Sequence, residues 1–279
     1  MVAIFDGHND ALTREDAADF ATGRGEGHVD LPRARAGGLA GGVFAIFTPS
    51  PDEEELIPVG AEAIDPDLEA LELWHAAGLR SLGPVWSRPN AFGHGVLFAF
   101  PSSPDTGPGL TPAGTELVRR CASLGIAVDL SHLNEQGFWD VARLDGAPLI
   151  ASHSGAHALS ASARNLTDAQ LDAIGASGGL VGIVFAVAFL RADGADDAST
   201  PLSAIVAHVR YVANRIGVEH VALGSDFDGA TIPDELGDAA GLPRLIEALR
   251  ADGFTEAEIE AIAWDNWRRV LERAWAVKT

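Results

Sequence analysis

Short apolar runs recur along the chain, each followed by a stretch whose apolar residues repeat at helical spacing. The runs at 2–5, 42–47, 57–61, 79–85, 126–130, 148–151, 180–185 and 221–224 are rich in Val, Ile, Leu and Gly. They are apolar on both faces, as parallel strands covered by helices are. The helices between them carry start and stop signals. Asp65-Pro66 opens one, with Leu68, Leu71 and Trp74 in step and Gly78 behind it. Thr111-Pro112 opens a second that ends at Gly125, and Thr167 can cap a third over 168–176. Thr200-Pro201 opens a long one with Ile205, Val209, Val212 and Ile216 on one stripe, stopped by Gly217. Thr255 begins the last, which carries Ile259, Ile262 and Val270. A capping side chain, proline in the first turn and glycine after the end are the chemistry that starts and stops helices.

Strand–helix alternation through a whole chain predicts an α/β fold with a parallel sheet. Eight strands in 279 residues favour a closed (β/α)8 TIM barrel, formed as a single domain over 1–279, with an open doubly wound sheet as the other option. No G-x-G-x-x-G follows the first strand, which argues against a dinucleotide site. One connection is too short. Strand two ends near Thr48-Pro49-Ser50 and the next apolar run begins at Leu56, with only Pro51, Asp52 and three glutamates between them. A parallel crossover needs about a dozen residues or more. The connection between strands two and three is therefore truncated, or the two strands form a hairpin, or 56–61 is not a barrel strand.

Composition narrows the partners. A hydrophobic fraction of 47% excludes global disorder. Forty acidic residues against nineteen basic ones give a net charge of −21 with histidine neutral. That sign repels phosphate backbones and anionic lipid, so nucleic acid and membrane surfaces are poor partners. The longest nearly apolar run, 178–190, falls short of the roughly 20 residues of a membrane helix. The N-terminus Met1-Val-Ala-Ile-Phe-Asp lacks the basic and long apolar regions of a secretory signal, so a cytoplasmic protein is expected. Cys121 is the single cysteine, so any metal must be held by His, Asp or Glu.

In a parallel barrel, reacting groups sit at the C-terminal ends of strands. The polar residues at those ends are Asp6, His8 and Asp10; Trp86 and Arg88, with His94 further along; Asp129 and His132; His153; and Asp226 and Asp228. His8 and Asp10 are two apart, so on a strand they point to the same side and can share one cation. Alone the pair says little, because an isolated histidine is more often a hydrogen-bonded core or surface group. Ser131-His132 and Ser152-His153-Ser154 change this, each following an apolar strand directly. Three histidines and several aspartates at strand ends point to a divalent cation, and zinc suits such a ligand set. Asp226 can take a proton from a metal-bound water and pass it to a leaving amine. A simple turn is the other reading of Gly224-Ser225-Asp226-Phe227-Asp228-Gly229, and Asp228-Gly229 is assigned to that turn. Arg164, in the loop after the sixth strand, can bind a substrate carboxylate in bidentate fashion or serve in a surface salt bridge.

Taken together, Asp6-Gly7-His8-Asn9-Asp10, Val128-Asp129-Leu130-Ser131-His132, Ser152-His153-Ser154, Ala163-Arg164-Asn165 and Gly224–Gly229 resemble the membrane (renal) dipeptidase family of zinc peptidases. The likeness is greatest to bacterial members carrying Gly-Pro-Val-Trp-Ser-Arg-Pro-Asn-Ala-Phe-Gly, here 83–93. It implies an amidohydrolase-like barrel with two zinc ions, one held by His8 and Asp10, the other by His132 and His153. It also implies that a water between the metals attacks the peptide carbonyl. Asp226 then handles the proton, and Arg164 holds the C-terminal carboxylate of a dipeptide, often one with a D-residue there. Homodimers are common in such families.

Two departures stand out. The family places a bridging glutamate at the end of the third strand, whereas Val59 occupies that position here, in Val59-Gly60-Ala61-Glu62-Ala63-Ile64. The family's long helical stretch before that strand is also absent. Two zinc ions about 4 Å apart repel, and a bridging carboxylate offsets much of that charge. The sequence therefore predicts weakened or single-metal occupancy and impaired hydrolysis. Trp86 stands where renal-type enzymes carry a substrate-contacting histidine, a contact that His94 is a candidate to replace. Two other readings stay open: an amidase or lactonase on the same barrel, and a metal-site remnant acting as a binding protein.

Overall fold

The computed structural model describes residues 2–46, 61–144 and 146–276. Among the described residues there are seven strands: β1 (Ile4–Asn9), β2 (Leu39–Phe44), β3 (Ser81–Leu82), β4 (Ala127–Val128), β5 (Ile150–Ser154), β6 (Leu180–Ile183) and β7 (Val221–Leu223). The ladders are β1–β2, β3–β4 and β5–β6–β7, and every pair is parallel. Parallel bridges Asn9–Phe227 and Asp129–Ile150 join the three groups. The strands thus run side by side in the order β2-β1-β7-β6-β5-β4-β3. Among the described residues no pair joins β2 to β3. Most of the candidate strand at 57–61, together with the short connection before it and Val59, lies outside the described residues; Ala61–Ala63 form a 3-10 turn.

Strands β5, β6 and β7 are fully buried, which explains their unbroken apolar character. Glycine lets the interior close up. A Cβ at Gly182 on β6, or at Gly224 just past β7, would strike the Ser152 carbonyl of β5, so only glycine permits this approach. The indole of Trp267 is 1% exposed and donates to the Leu223 carbonyl at 2.8 Å, sealing the C-terminal helix onto β7.

The helices are α1 (Leu31–Gly37), α2 (Glu69–Ala77), α3 (Pro112–Leu124), α4 (Glu135–Ala142), α5 (Asp168–Ser177), α6 (Val187–Leu190), α7 (Ser203–Ile216), α8 (Leu242–Ala251), α9 (Glu256–Glu260) and α10 (Asn266–Trp275). Thr111, Thr167 and Thr255 cap α3, α5 and α9 as expected, the last two in full capping boxes with Gln170 and Glu258. Two starts differ from the sequence reading. Helix α2 begins at Glu69 rather than at Asp65-Pro66, because Asp67 accepts the Glu69 amide and Leu68 turns left-handed at φ 65°. Thr200 does not cap α7; its hydroxyl donates to the Asp197 carbonyl at 2.6 Å. The helix that Thr255 begins is interrupted by a π turn over Ala261–Asp265, after which Asn266 donates to the carbonyls of Val218 and Val221. No helix among the described residues is long and apolar enough to cross a membrane.

His208, buried in α7, carries a pH dependence of the fold. Its Nδ1 accepts from the Ala156 amide at 2.9 Å and its Nε2 lies 3.1 Å from the Leu190 carbonyl, a pattern only the neutral ring satisfies. Burial pulls its pKa down to about 4, against a smaller lift from the Leu190 carbonyl. The folded state holds the proton less tightly than the unfolded one. The stabilisation is therefore complete above the ordinary histidine pKa of about 6.5 and is lost as pH falls toward 4. Urea unfolding at pH 7 and pH 4.5 is expected to show a loss of about 2–3 kcal/mol from this group. His208→Gln should remove that share of the slope.

Candidate metal centre

The site is assembled by two carboxylates, one buried and one half-buried, that staple strand ends together. Asp6 on β1 accepts from the Ser225 amide and hydroxyl, both at 2.7 Å, and from Asn9 Nδ2 at 3.1 Å. Burial lifts its pKa to about 6, while the bonds from Ser225 and Asn9 oppose the rise. This staple sets the exit of β7 against β1, and the Asp226 amide donates to the His8 carbonyl at 3.0 Å. Asp129 does the same for β4 and β5. Its Oδ1 accepts from the Ser131 hydroxyl at 2.7 Å and from the Ser152 amide at 2.9 Å, and its Oδ2 accepts from the Ser152 hydroxyl. Neither staple is visible in the sequence as more than a polar strand end.

These two joints bring the imidazoles of His8, His132 and His153 into one cleft of about 1300 Å³. The rings of His8 and His153 stack with centroids 3.8 Å apart. His153 Nε2 lies 2.9 Å from His132 Nε2. His8, His153 and Asp226 each present a ligand atom, all within 4.8 Å of one another. Asp10 flanks this triad, with Oδ1 3.5 Å from His8 Nε2.

The donor set fits a cation. The Ser152 hydroxyl has one proton, and the Asp129 carboxylate takes it, so His153 Nδ1, 2.7 Å away, must carry the hydrogen between them. Its Nε2 is left with a lone pair aimed into the cleft. His132 Nδ1 is engaged by the Ser87 hydroxyl at 3.0 Å, and its Nε2 faces the same point. Burial, together with the positive charges of His8 and Arg164, pushes both pKa values well below the ordinary histidine value, so both rings are neutral at pH 7. Burial alone would also lower the His8 pKa. The bond to Asp10 and the charges of Asp226 and Asp129 outweigh it and raise the value to about 9. Carboxylates gathered in this way favour positive charge at His8 Nε2, and a bound cation satisfies them as a proton does. Gly229 belongs to the same cradle, since a Cβ there would run into Asp10 Oδ2 and Asp226 Oδ1.

Asp226 stands at φ 60°, a left-handed conformation uncommon outside glycine but tolerated by aspartate, and burial raises its pKa. Asp228, at φ 66°, is more than a turn residue. Its fully buried carboxylate accepts the His28 amide at 2.6 Å and has Arg14 and Arg24 nitrogens within 3.8 Å, fastening the 14–28 segment beside the cleft. The sequence assigns it to the turn because those partners lie 200 residues away. Arg164 is buried in the cleft wall rather than on the surface. It donates to the carbonyls of Ser131 and His153, and burial lowers its pKa to about 10 despite Asp226 and Asp129. Trp86 lines the cleft 5.8 Å from the His132 ring. His94 does not line it; its Nδ1 sits 3.1 Å from the Gly109 carbonyl, which holds a neighbouring loop.

The sequence pattern of the membrane dipeptidase family (peptidase family M19) matches residues 55–279. A protein from the pqqA 5' region of Klebsiella pneumoniae is 54% identical over 216 residues, covering 77% of this chain and 80% of that protein. The crystal structure of a metallo peptidase from Rhodobacter sphaeroides, liganded with a phosphinate mimic of the dipeptide L-Ala-D-Ala, superposes with a TM-score of 0.93. It is 43% identical and covers 98% of this chain and 99% of its own. The structure of dipeptidase AC, another family M19 metallo peptidase, is 46% identical, also with a TM-score of 0.93 and with the same coverage. The chain belongs to the membrane dipeptidase family, a family of metal-dependent peptidases with an α/β fold.

Proposed function

We propose that this chain hydrolyses the peptide bond of dipeptides at the centre formed by His8, Asp10, His132, His153 and Asp226. The observation that carries this reading is the cluster of ligand atoms from His8, His153 and Asp226 within 4.8 Å of one another, with His132 Nε2 2.9 Å from His153 Nε2. The dipeptide mimic bound to the 43%-identical metallo peptidase supports the substrate class. Zinc matches the imidazole and carboxylate donors, with His8, Asp10, His132 and His153 as its ligands. A bound zinc ion supplies a Lewis acid and a water of lowered pKa.

The chain's own groups do the remainder. The Asp226 carboxylate, 3.9 Å from His8 Nε2, takes a proton from the attacking water. The water oxygen forms the new bond to the carbonyl carbon, the C–N bond breaks, and Asp226 returns the proton to the leaving amine. Its raised pKa suits a group that must hold that proton briefly. Arg164 supplies positive charge for the substrate's C-terminal carboxylate. The backbone order β2-β1-β7-β6-β5-β4-β3 supports a closed (β/α)8 barrel formed as one domain over 1–279, with β2 and β3 as the strands on either side of the closing seam.

Turnover assays on the zinc-loaded protein test this reading. Release of free amino acids from L-Ala-D-Ala and L-Ala-L-Ala, abolished by a chelator and restored by zinc, is expected. Zinc-dependent cleavage of lactones or non-peptide amides with no dipeptide turnover would replace it with the amidase or lactonase reading.

A further inference from the structure

An aromatic wall rises from the metal centre to the mouth of the cleft. The Trp86 and Phe98 rings meet edge to face at 5.3 Å, and Phe98 stacks on Phe189 at 5.9 Å with the planes 24° apart. Trp86 reaches back to the His132 ring, and the Arg164 guanidinium lies over the Phe189 ring, 5.4 Å from its centroid. Phe98 leaves 56% of its surface in water, a large apolar exposure at a cleft entrance.

This exposure is fixed in place by the backbone on either side. The Val96 amide donates to the His132 carbonyl at 3.0 Å, and Gly95 bridges to Leu133. Beyond Phe98, the Ala163 amide donates to the Ala99 carbonyl at 3.1 Å, and the Ser102 amide to the Ala161 carbonyl at 2.8 Å. The loop is therefore clamped to the His132 strand end on one side and to the Arg164 loop on the other. A preorganised aromatic face that stays wet until a ligand covers it gains apolar burial at little ordering cost.

We propose that Trp86, Phe98 and Phe189 form the specificity-determining subsite for an apolar side chain on the C-terminal residue of the substrate. The placement follows from Arg164. A carboxylate drawn to that guanidinium lies beside Phe189, and the side chain on the adjacent Cα then meets the Phe98 face. The inference rests on the dipeptidase reading and gives it a substrate preference, namely apolar over acidic at the C-terminal position. Phe98 does not touch the reacting atoms, so it sorts substrates without taking part in the chemistry.

The test is a matrix of kcat/KM values for L-Ala-Xaa and Xaa-L-Ala dipeptides, with Xaa as Leu, Phe, Gly or Asp, in both stereochemical series. Wild-type protein should prefer Leu and Phe over Asp at the C-terminal position. Phe98→Ala should lower kcat/KM for C-terminal Leu and Phe by about tenfold or more, mainly through KM, and leave C-terminal Gly within about twofold. Phe98→Leu should recover most of the loss, and Phe98→Arg should shift preference toward C-terminal Asp. An equal loss across all substrates, or a loss confined to the N-terminal series, would overturn the assignment while leaving the dipeptidase reading intact. Failure of wild-type protein to cleave any dipeptide would overturn both.

Discussion

Asp226→Asn is expected to lower kcat for dipeptide hydrolysis by about 10²–10⁴-fold, with KM changed little. The amide is nearly isosteric with the carboxylate, so packing is preserved, but it cannot take up the proton that must pass from water to the leaving amine. The fold should tolerate the change, because the turn is held by bonds from the Asp226 amide to the His8 carbonyl and from the Gly229 amide to the Asp226 carbonyl, and neither uses the side chain. Stopped assays with zinc-saturated protein, read beside thermal unfolding, separate this outcome from a folding defect. An activity within about threefold of wild type would remove Asp226 from the chemistry.

The second large effect is on metal retention. His153→Ala removes the Nε2 that faces His132 at 2.9 Å and the ring that stacks on His8. The protein should lose its bound metal and, with it, turnover. Ser152→Ala provides the graded comparison. It leaves every ligand in place but breaks the relay from Asp129 through the Ser152 hydroxyl to His153 Nδ1. Loss of such an orienting partner costs roughly 10–100-fold in metal affinity. Competition with a chromophoric chelator should place Ser152→Ala between wild type and His153→Ala. Equal affinity for Ser152→Ala and wild type would show that Asp129 does not orient His153.

Local chemistry made part of this fold legible in the sequence. Thr111, Thr167 and Thr255 cap helices because each interaction spans three residues, and Gly78 and Gly125 end theirs left-handed. The starts at Asp65 and Thr200 misread the chain because Asp67 and Asp197 capture local bonds that compete with helix extension. The apolar runs locate all seven strands among the described residues, but their ends shift. Strand β1 extends through Asn9 because Asp6 and the Phe227 bridge hold its polar end, which no apolar pattern marks. The same limit applies at the centre. His8, His132 and His153 are found by the rule that reacting groups follow parallel strands. The residues that orient them, Asp6, Asp129, Ser152 and Ser225, depend on contacts between separate segments, 219 residues apart in the case of Asp6 and Ser225. Asp228 reads as a turn for the same reason, since Arg14, Arg24 and His28 come from the far end of the chain. The aromatic wall left no periodic signal, because Trp86, Phe98 and Phe189 sit in loops or on a single short turn of helix.

On the proposed mechanism, His8, His132 and His153 grip a cation that the reaction needs. The most direct measurement is metal content per chain by mass spectrometry, with dipeptide turnover followed on the same sample before and after chelation. At least one divalent ion per chain is expected, with turnover lost in step with its removal and regained on adding zinc. Full dipeptide turnover by protein stripped of metal would contradict it.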